Sequence, residues 1–161
     1  MRNQKVLNLC RGGIIAALYV VLTLLANALG LANNLIQVRF SEALTILPYF
    51  TSAAIPGLFA GCLISNLLTG AALIDVVFGS VATLIGAALT FAFRKKSPWL
   101  APLFPILSNT IIVPFILLYA YEIKPLRLSF ITVGAGEIIS CGVLGMLLLF
   151  ALKKRAGFLF D

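Results

Sequence analysis

A chain of 161 residues that is 61% hydrophobic and only 11% charged cannot hide its apolar side chains in a soluble core, so it reads as one membrane domain, 1–161. Its net charge of +7 sits in short clusters between apolar runs, which fits membrane topology and excludes a nucleic-acid surface. The absence of histidine removes imidazole catalysis and His-based metal sites, and cysteines at 10, 62 and 141 lack ligand spacing, so no metal or cofactor is expected.

The first apolar run, 12–32, matches the ~20 residues that a helix needs to cross ~30 Å of hydrocarbon. Gly12 with Ala16 and Gly13 with Ala17 are small residues four apart, a spacing that lets another helix approach closely. The run ends in Ala26-Asn27-Ala28, a loose small-x-small cleavage pattern, but losing this span would upset the crossings that follow. Next come 42–54 and 56–69, two helical pieces split at Ile55-Pro56-Gly57, each covering roughly 20 Å. They are short spans or a re-entrant hairpin, and either way the chain returns to the side it left. Runs 74–93, 102–121 and 128–152 complete an all-α integral membrane protein of six transmembrane helices, the second and third short.

With the N-terminus inside, every Lys and Arg except Arg39, Lys124 and Arg127 falls on the cytoplasmic side. This bias predicts a multi-pass protein of the cell membrane with both termini cytoplasmic. Glu42, Asp75, Glu122, Arg39, Lys124 and Arg127 then lie at or near the outer ends. Ser41 and Glu42 are candidates to cap the second helix, Asp75 the fourth, while Arg39 can pair with Glu42 or reach headgroups. Glu122, Lys124 and Arg127 read as solvated loop residues.

Glu137 stands about nine residues into the last span, where an ionisable group costs about 2.5–3.5 kcal/mol. At 100° per residue it shares an arc with Gly134, Cys141 and Gly145, so it turns toward the packed side of the bundle. Similar inward stripes are Cys62, Ser65, Asn66 and Thr69, and Gly79, Thr83, Gly86 and Thr90. Ser108 and Asn109 lie between Pro105 and Pro114, which can free backbone carbonyls. Asn66 and Asn109 are ligand candidates or interhelical glue, and the intramembrane cysteines read as small apolar side chains. No G-x-x-x-x-G-K-[ST] stretch or nucleophile–base pair occurs, so the chain is read as a non-enzyme whose energy comes from an ion gradient or another subunit.

The segments "GGIIAALYVVLT", "IQVRFSEALTILP" (36–48), "IDVVFGSVATLIGA" and "GAGEIIS" resemble the QueT family of substrate-binding S-components of energy-coupling factor (ECF) transporters, over about residues 12–152. The resemblance implies an ECF S-component-like bundle. It implies capture from outside of a queuosine precursor, 7-aminomethyl-7-deazaguanine or a related deazaguanine, with delivery through a transmembrane coupling subunit and two ATPases. It also implies that Gly13 and Ala17 meet the coupling subunit. Carboxylates suit such a ligand: one can accept from N1–H and the 2-amino group, and another can hold an aminomethyl cation. The expected substrate site is therefore Glu137, Glu42, Arg39, Asn109, Asn66 and Asp75, with Phe40, Phe78 or Tyr119 stacking on the ring. Other readings of the residues are an S-component for another vitamin-like molecule, a stand-alone ion-coupled carrier using Glu137, and a structural membrane subunit.

Overall fold

The computed structural model describes residues 3–31 and 37–155; Arg2 and the end of the first apolar run at 32 lie outside the described residues. The order is α1 (Gln4–Ala28), a 3-10 helix (Phe40–Tyr49), α2 (Ala54–Leu68), α3 (Leu73–Phe93), α4 (Leu100–Tyr121) and α5 (Leu126–Lys153). The last passes through a π-helical stretch at Ile138–Leu144. Among the described residues there is no strand. Helices α1, α3, α4 and α5 are long and apolar enough to cross a membrane, and α2 is a shorter apolar helix. Among the described residues the fold is an all-α bundle of six helices, consistent with a membrane protein.

Local chemistry sets the ends that later shape the site. Asn3 caps α1 by accepting from the Lys5 N–H at 3.2 Å. At the other end of α1, Gly30 turns to φ 72° and its N–H donates to the Asn27 carbonyl, while the Leu31 N–H donates to that of Ala26. Helix α2 stops in the same way, with Gly70 at φ 71°, its N–H on the Leu67 carbonyl and the Ala71 N–H on that of Asn66. Both are Schellman caps, and glycine is what makes the left-handed residue inexpensive.

The 3-10 helix is the inner plug of the bundle. It touches all five α-helices, and every residue from Ser41 to Pro48 is buried. Lipid could not satisfy its backbone, but surrounding protein can. A 3-10 helix repeats every three residues, which stacks Thr45 over Glu42, and the Thr45 hydroxyl donates to the Glu42 carbonyl at 2.6 Å. The break before α2 lies at residues 50–53, ahead of Ile55-Pro56-Gly57. Pro56 occupies the first turn of α2, where its missing N–H would have had no helical acceptor, so it helps to start a helix.

The α-helices pack in chain order, α1 on α2, α2 on α3, α3 on α4 and α4 on α5. The α1–α2 contact is the tightest kind. A Cβ on Gly57 would stand 2.6 Å from the Gly12 carbonyl oxygen, and one on Gly61 would stand 3.0 Å from that of Ala16. One of the two small pairs of α1 is thus consumed inside the bundle. The other, Gly13 and Ala17, is exposed, and a Cβ on Gly13 would meet nothing within 4 Å. Lys5 and Arg11 at the start of α1, Arg94 to Lys96 after α3 and Lys153 to Arg155 closing α5 share one end of the bundle.

Candidate functional site

At the opposite end, a cavity of about 370 Å³ opens among the end of α1, the start of the 3-10 helix, the end of α2, the start of α3 and the end of α4. Thr23, Asn27, Gln37, Arg39, Asn66, Thr69, Asp75 and Tyr121 give its wall a polar character. The α2 cap stands at the cavity, with Gly70 in its wall, and the last turns of α1 contribute Ala26 and Asn27.

Arg39 sits in extended backbone just before the 3-10 helix, and its N–H donates to the Ser140 hydroxyl at 3.1 Å, which ties this approach to α5. Burial works against its charge; neighbours led by the Asp75 carboxylate work for it, and the net holds the guanidinium above the ordinary arginine range. Asp75 lies in the first turn of α3 but does not cap it, since α3 has no side-chain cap. The Tyr121 hydroxyl donates to Asp75 Oδ2 at 3.1 Å and accepts from the Ala72 N–H at 3.1 Å. The Asn66 amide donates to the Asp75 backbone carbonyl at 3.4 Å. Asp75 Oδ1 is buried and has no hydrogen-bond partner among the described residues.

One turn beneath the cavity lies a second polar group, closed and fully buried. Tyr19, a turn below Thr23 on α1, donates its hydroxyl to Glu42 Oε1. Asn109 donates to Glu42 Oε2 at 3.3 Å. Cys141 contacts Glu137 Oε2 at 3.1 Å, the Glu42 backbone carbonyl at 3.4 Å and the Thr45 hydroxyl at 3.4 Å. The candidate ligand atoms of Glu42, Glu137 and Cys141 lie within 4.8 Å of one another, close enough to surround one ion. In this arrangement they face each other and their hydrogen-bond partners. The π-helical stretch begins just past Glu137 and carries Cys141 against the 3-10 helix.

The six expected substrate residues therefore divide. Arg39, Asn66 and Asp75 line the cavity, whereas Glu42, Asn109 and Glu137 meet in the cluster below it. Neither Ser41 nor Glu42 caps the 3-10 helix, which has no side-chain cap; Ser41 accepts from Thr23 at 2.8 Å. Phe78 and Tyr119, offered as stacking partners, instead face outward at 54% and 73% exposure and line an apolar groove between α3 and α4. The cysteines are more than apolar filler, because Cys62 Sγ accepts from Asn66 and from Thr83, as Cys141 joins Glu137 to Glu42. Tyr121 does not stand out in the sequence, since a tyrosine at the end of an apolar run is ordinary interfacial composition, and Tyr19 does not because nothing within α1 shows the Glu42 that it meets.

The profile of the QueT transporter family matches residues 9–154 of this chain. The queuosine precursor transporter QueT of Lactococcus lactis subsp. cremoris (strain MG1363) is 32% identical over 103 residues, a match covering 62% of this chain and 60% of that protein's length. No solved structure matches. With nearly the whole helical bundle inside the matched region, the chain belongs to the QueT transporter family.

Proposed function

We propose that this chain is the substrate-capturing S-component of an ECF-type importer, taking a deazaguanine precursor of queuosine, such as 7-aminomethyl-7-deazaguanine, from outside the cell membrane. The observation that carries the reading is the polar cavity of about 370 Å³ at the bundle end away from the clustered cations. That volume falls in the lower range of small-molecule sites and suits a compact bicyclic base. With the cation-rich end inside, both termini are cytoplasmic and the cavity faces outward. Arg39, Asn66 and Asp75 contact the ligand, Tyr121 offers a ring for stacking, and Glu42, Asn109 and Glu137 form the floor beneath.

The relative's name as a queuosine precursor transporter supports the substrate class. Coupling to ATP comes from partner subunits, two ATPases and a transmembrane coupling protein, since the chain carries no phosphate-binding loop of its own. The exposed pair Gly13 and Ala17 supplies the approach surface for the coupling subunit.

Equilibrium binding to the purified chain in detergent, without partners, tests the proposal against 7-aminomethyl-7-deazaguanine, its 7-cyano precursor, queuine and guanine. Tight binding of at least one deazaguanine is expected. Failure of all four by a folded chain removes the substrate assignment, and uptake by vesicles holding this chain alone would favour an ion-coupled carrier.

A further inference from the structure

Among the described acids near the proposed site, only Asp75 stands on the cavity wall with an oxygen that no described residue satisfies. It is 6% exposed, so this oxygen has lost water without gaining a protein donor. A buried acceptor in that state destabilises the empty protein and rewards whatever supplies a donor. Glu42, by contrast, has both carboxylate oxygens engaged, one by Tyr19 and one by Asn109.

The same wall holds the complementary group. Arg39 lines the same cavity, with its backbone fixed by Ser140. A guanidinium only donates and an ionised carboxylate only accepts. A ligand edge made solely of acceptors leaves Asp75 unpaired, and one made solely of donors leaves Arg39 unpaired. An edge that sets a carbonyl beside N–H groups satisfies both, and the paired charges cancel, which favours a neutral edge over a phosphate or a free ammonium.

Gly79, one turn after Asp75, gives the carboxylate its room. A Cβ there would stand 2.8 Å from Asp75 Oδ1 and 3.3 Å from the Asn66 amide nitrogen. The terminal torsion of aspartate is broad and nearly two-fold. The carboxylate can therefore turn between Tyr121 and the cavity without leaving its place on α3.

Resting on the substrate class proposed above, we propose that Asp75 and Arg39 together read the lactam–amidine edge of a guanine-type base: Arg39 donates to the 6-carbonyl, and Asp75 accepts from N1–H and the 2-amino group. Recognition then resides in this edge, and the 7-substituent adds little. Gly79 is a positioning residue for the carboxylate.

The test is calorimetric binding by the full chain in detergent, using 7-deazaguanine, 7-aminomethyl-7-deazaguanine and 7-deazahypoxanthine, which lacks the 2-amino group. Asp75→Asn should weaken both guanine-type ligands by the same factor, on the order of 10- to 100-fold, and weaken 7-deazahypoxanthine distinctly less. Glu122→Gln, an exposed acid at the same end and off the cavity wall, should change none of the three. A loss confined to the aminomethyl ligand would show Asp75 holding the ammonium and overturn the proposal, as would unchanged binding of all three. If Asp75→Asn does not fold, Gly79→Ala displaces the carboxylate without altering charge and should lower affinity for both guanine-type ligands alike; full affinity in a folded Gly79→Ala chain overturns the proposal. A folded wild-type chain that binds none of the ligands refutes the substrate class itself, a result distinct from a mutant that still binds.

Discussion

The cavity and the cluster one turn below it contain the same kinds of groups, yet they differ in how those groups are satisfied. In the cluster, Glu42 takes a donor on each carboxylate oxygen, and Cys141 joins Glu137, Thr45 and the Glu42 backbone. In the cavity, Asp75 keeps an oxygen without a donor among the described residues, and Arg39 lines the same wall. A satisfied polar network in a low-dielectric interior fixes geometry, whereas an unsatisfied one is waiting for a partner. The lower region is built to hold the 3-10 helix in place, and the upper region is where the proposed function puts the ligand.

The sharpest way to break this comparison is at Glu42. Glu42→Ala strands the Tyr19 hydroxyl and the Asn109 amide in the core, each at about 1–3 kcal/mol. The detergent-purified variant should unfold at a markedly lower temperature than wild type, with Glu42→Gln, which keeps an acceptor oxygen, falling between them. Melting of Glu42→Ala at the wild-type temperature would mean that the cluster does not hold the plug, and the two regions would lose their distinction.

A smaller effect is expected at the boundary between them. Tyr121→Phe removes the donor to Asp75 Oδ2 while leaving the ring. Because Tyr121 is half outside the protein at 41% exposure, stability should change by under about 1 kcal/mol. Ligand affinity should fall a few-fold, as the carboxylate loses the contact that orients it. If the melting temperature falls sharply while affinity holds, Tyr121 belongs with the structural cluster instead of the site.

The difference between the two regions was only partly readable from residues. Long apolar runs announce α1, α3, α4 and α5, because crossing hydrocarbon imposes a length that composition displays directly. The segment "FSEALTILPY" does not announce a 3-10 helix, since its geometry is imposed by the five helices around it and not by local propensity. Pro56 looked like a break between helices because proline in a helix interior is disruptive; in a first turn it is benign. Polar site residues stood out because ionisable groups are rare and costly in membranes. Which of them are satisfied depends on Tyr19 reaching Glu42 and Tyr121 reaching Asp75 across 23 and 46 positions of chain. No pattern within a single helix contains that information.

The smallest effect on the isolated chain is expected at Gly13. Its neighbour Gly12 faces α2, where the backbones of the two helices nearly touch, but a Cβ on Gly13 would meet no atom within 4 Å. Gly13→Leu should therefore leave the melting temperature and ligand affinity of the isolated chain at wild-type values. A leucine on this face prevents the close backbone approach that a small-x-x-x-small pair permits. Co-purification with the coupling subunit should consequently be lost while binding persists. Retained assembly would move the partner surface away from Gly13 and Ala17, and lost folding would show that this face packs inside the protein's own bundle. Separation of assembly from binding is the outcome that a dedicated docking face requires, because Gly12 and Gly13, about 100° apart around α1, differ in what they face: Gly12 is buried against the bundle and Gly13 is exposed.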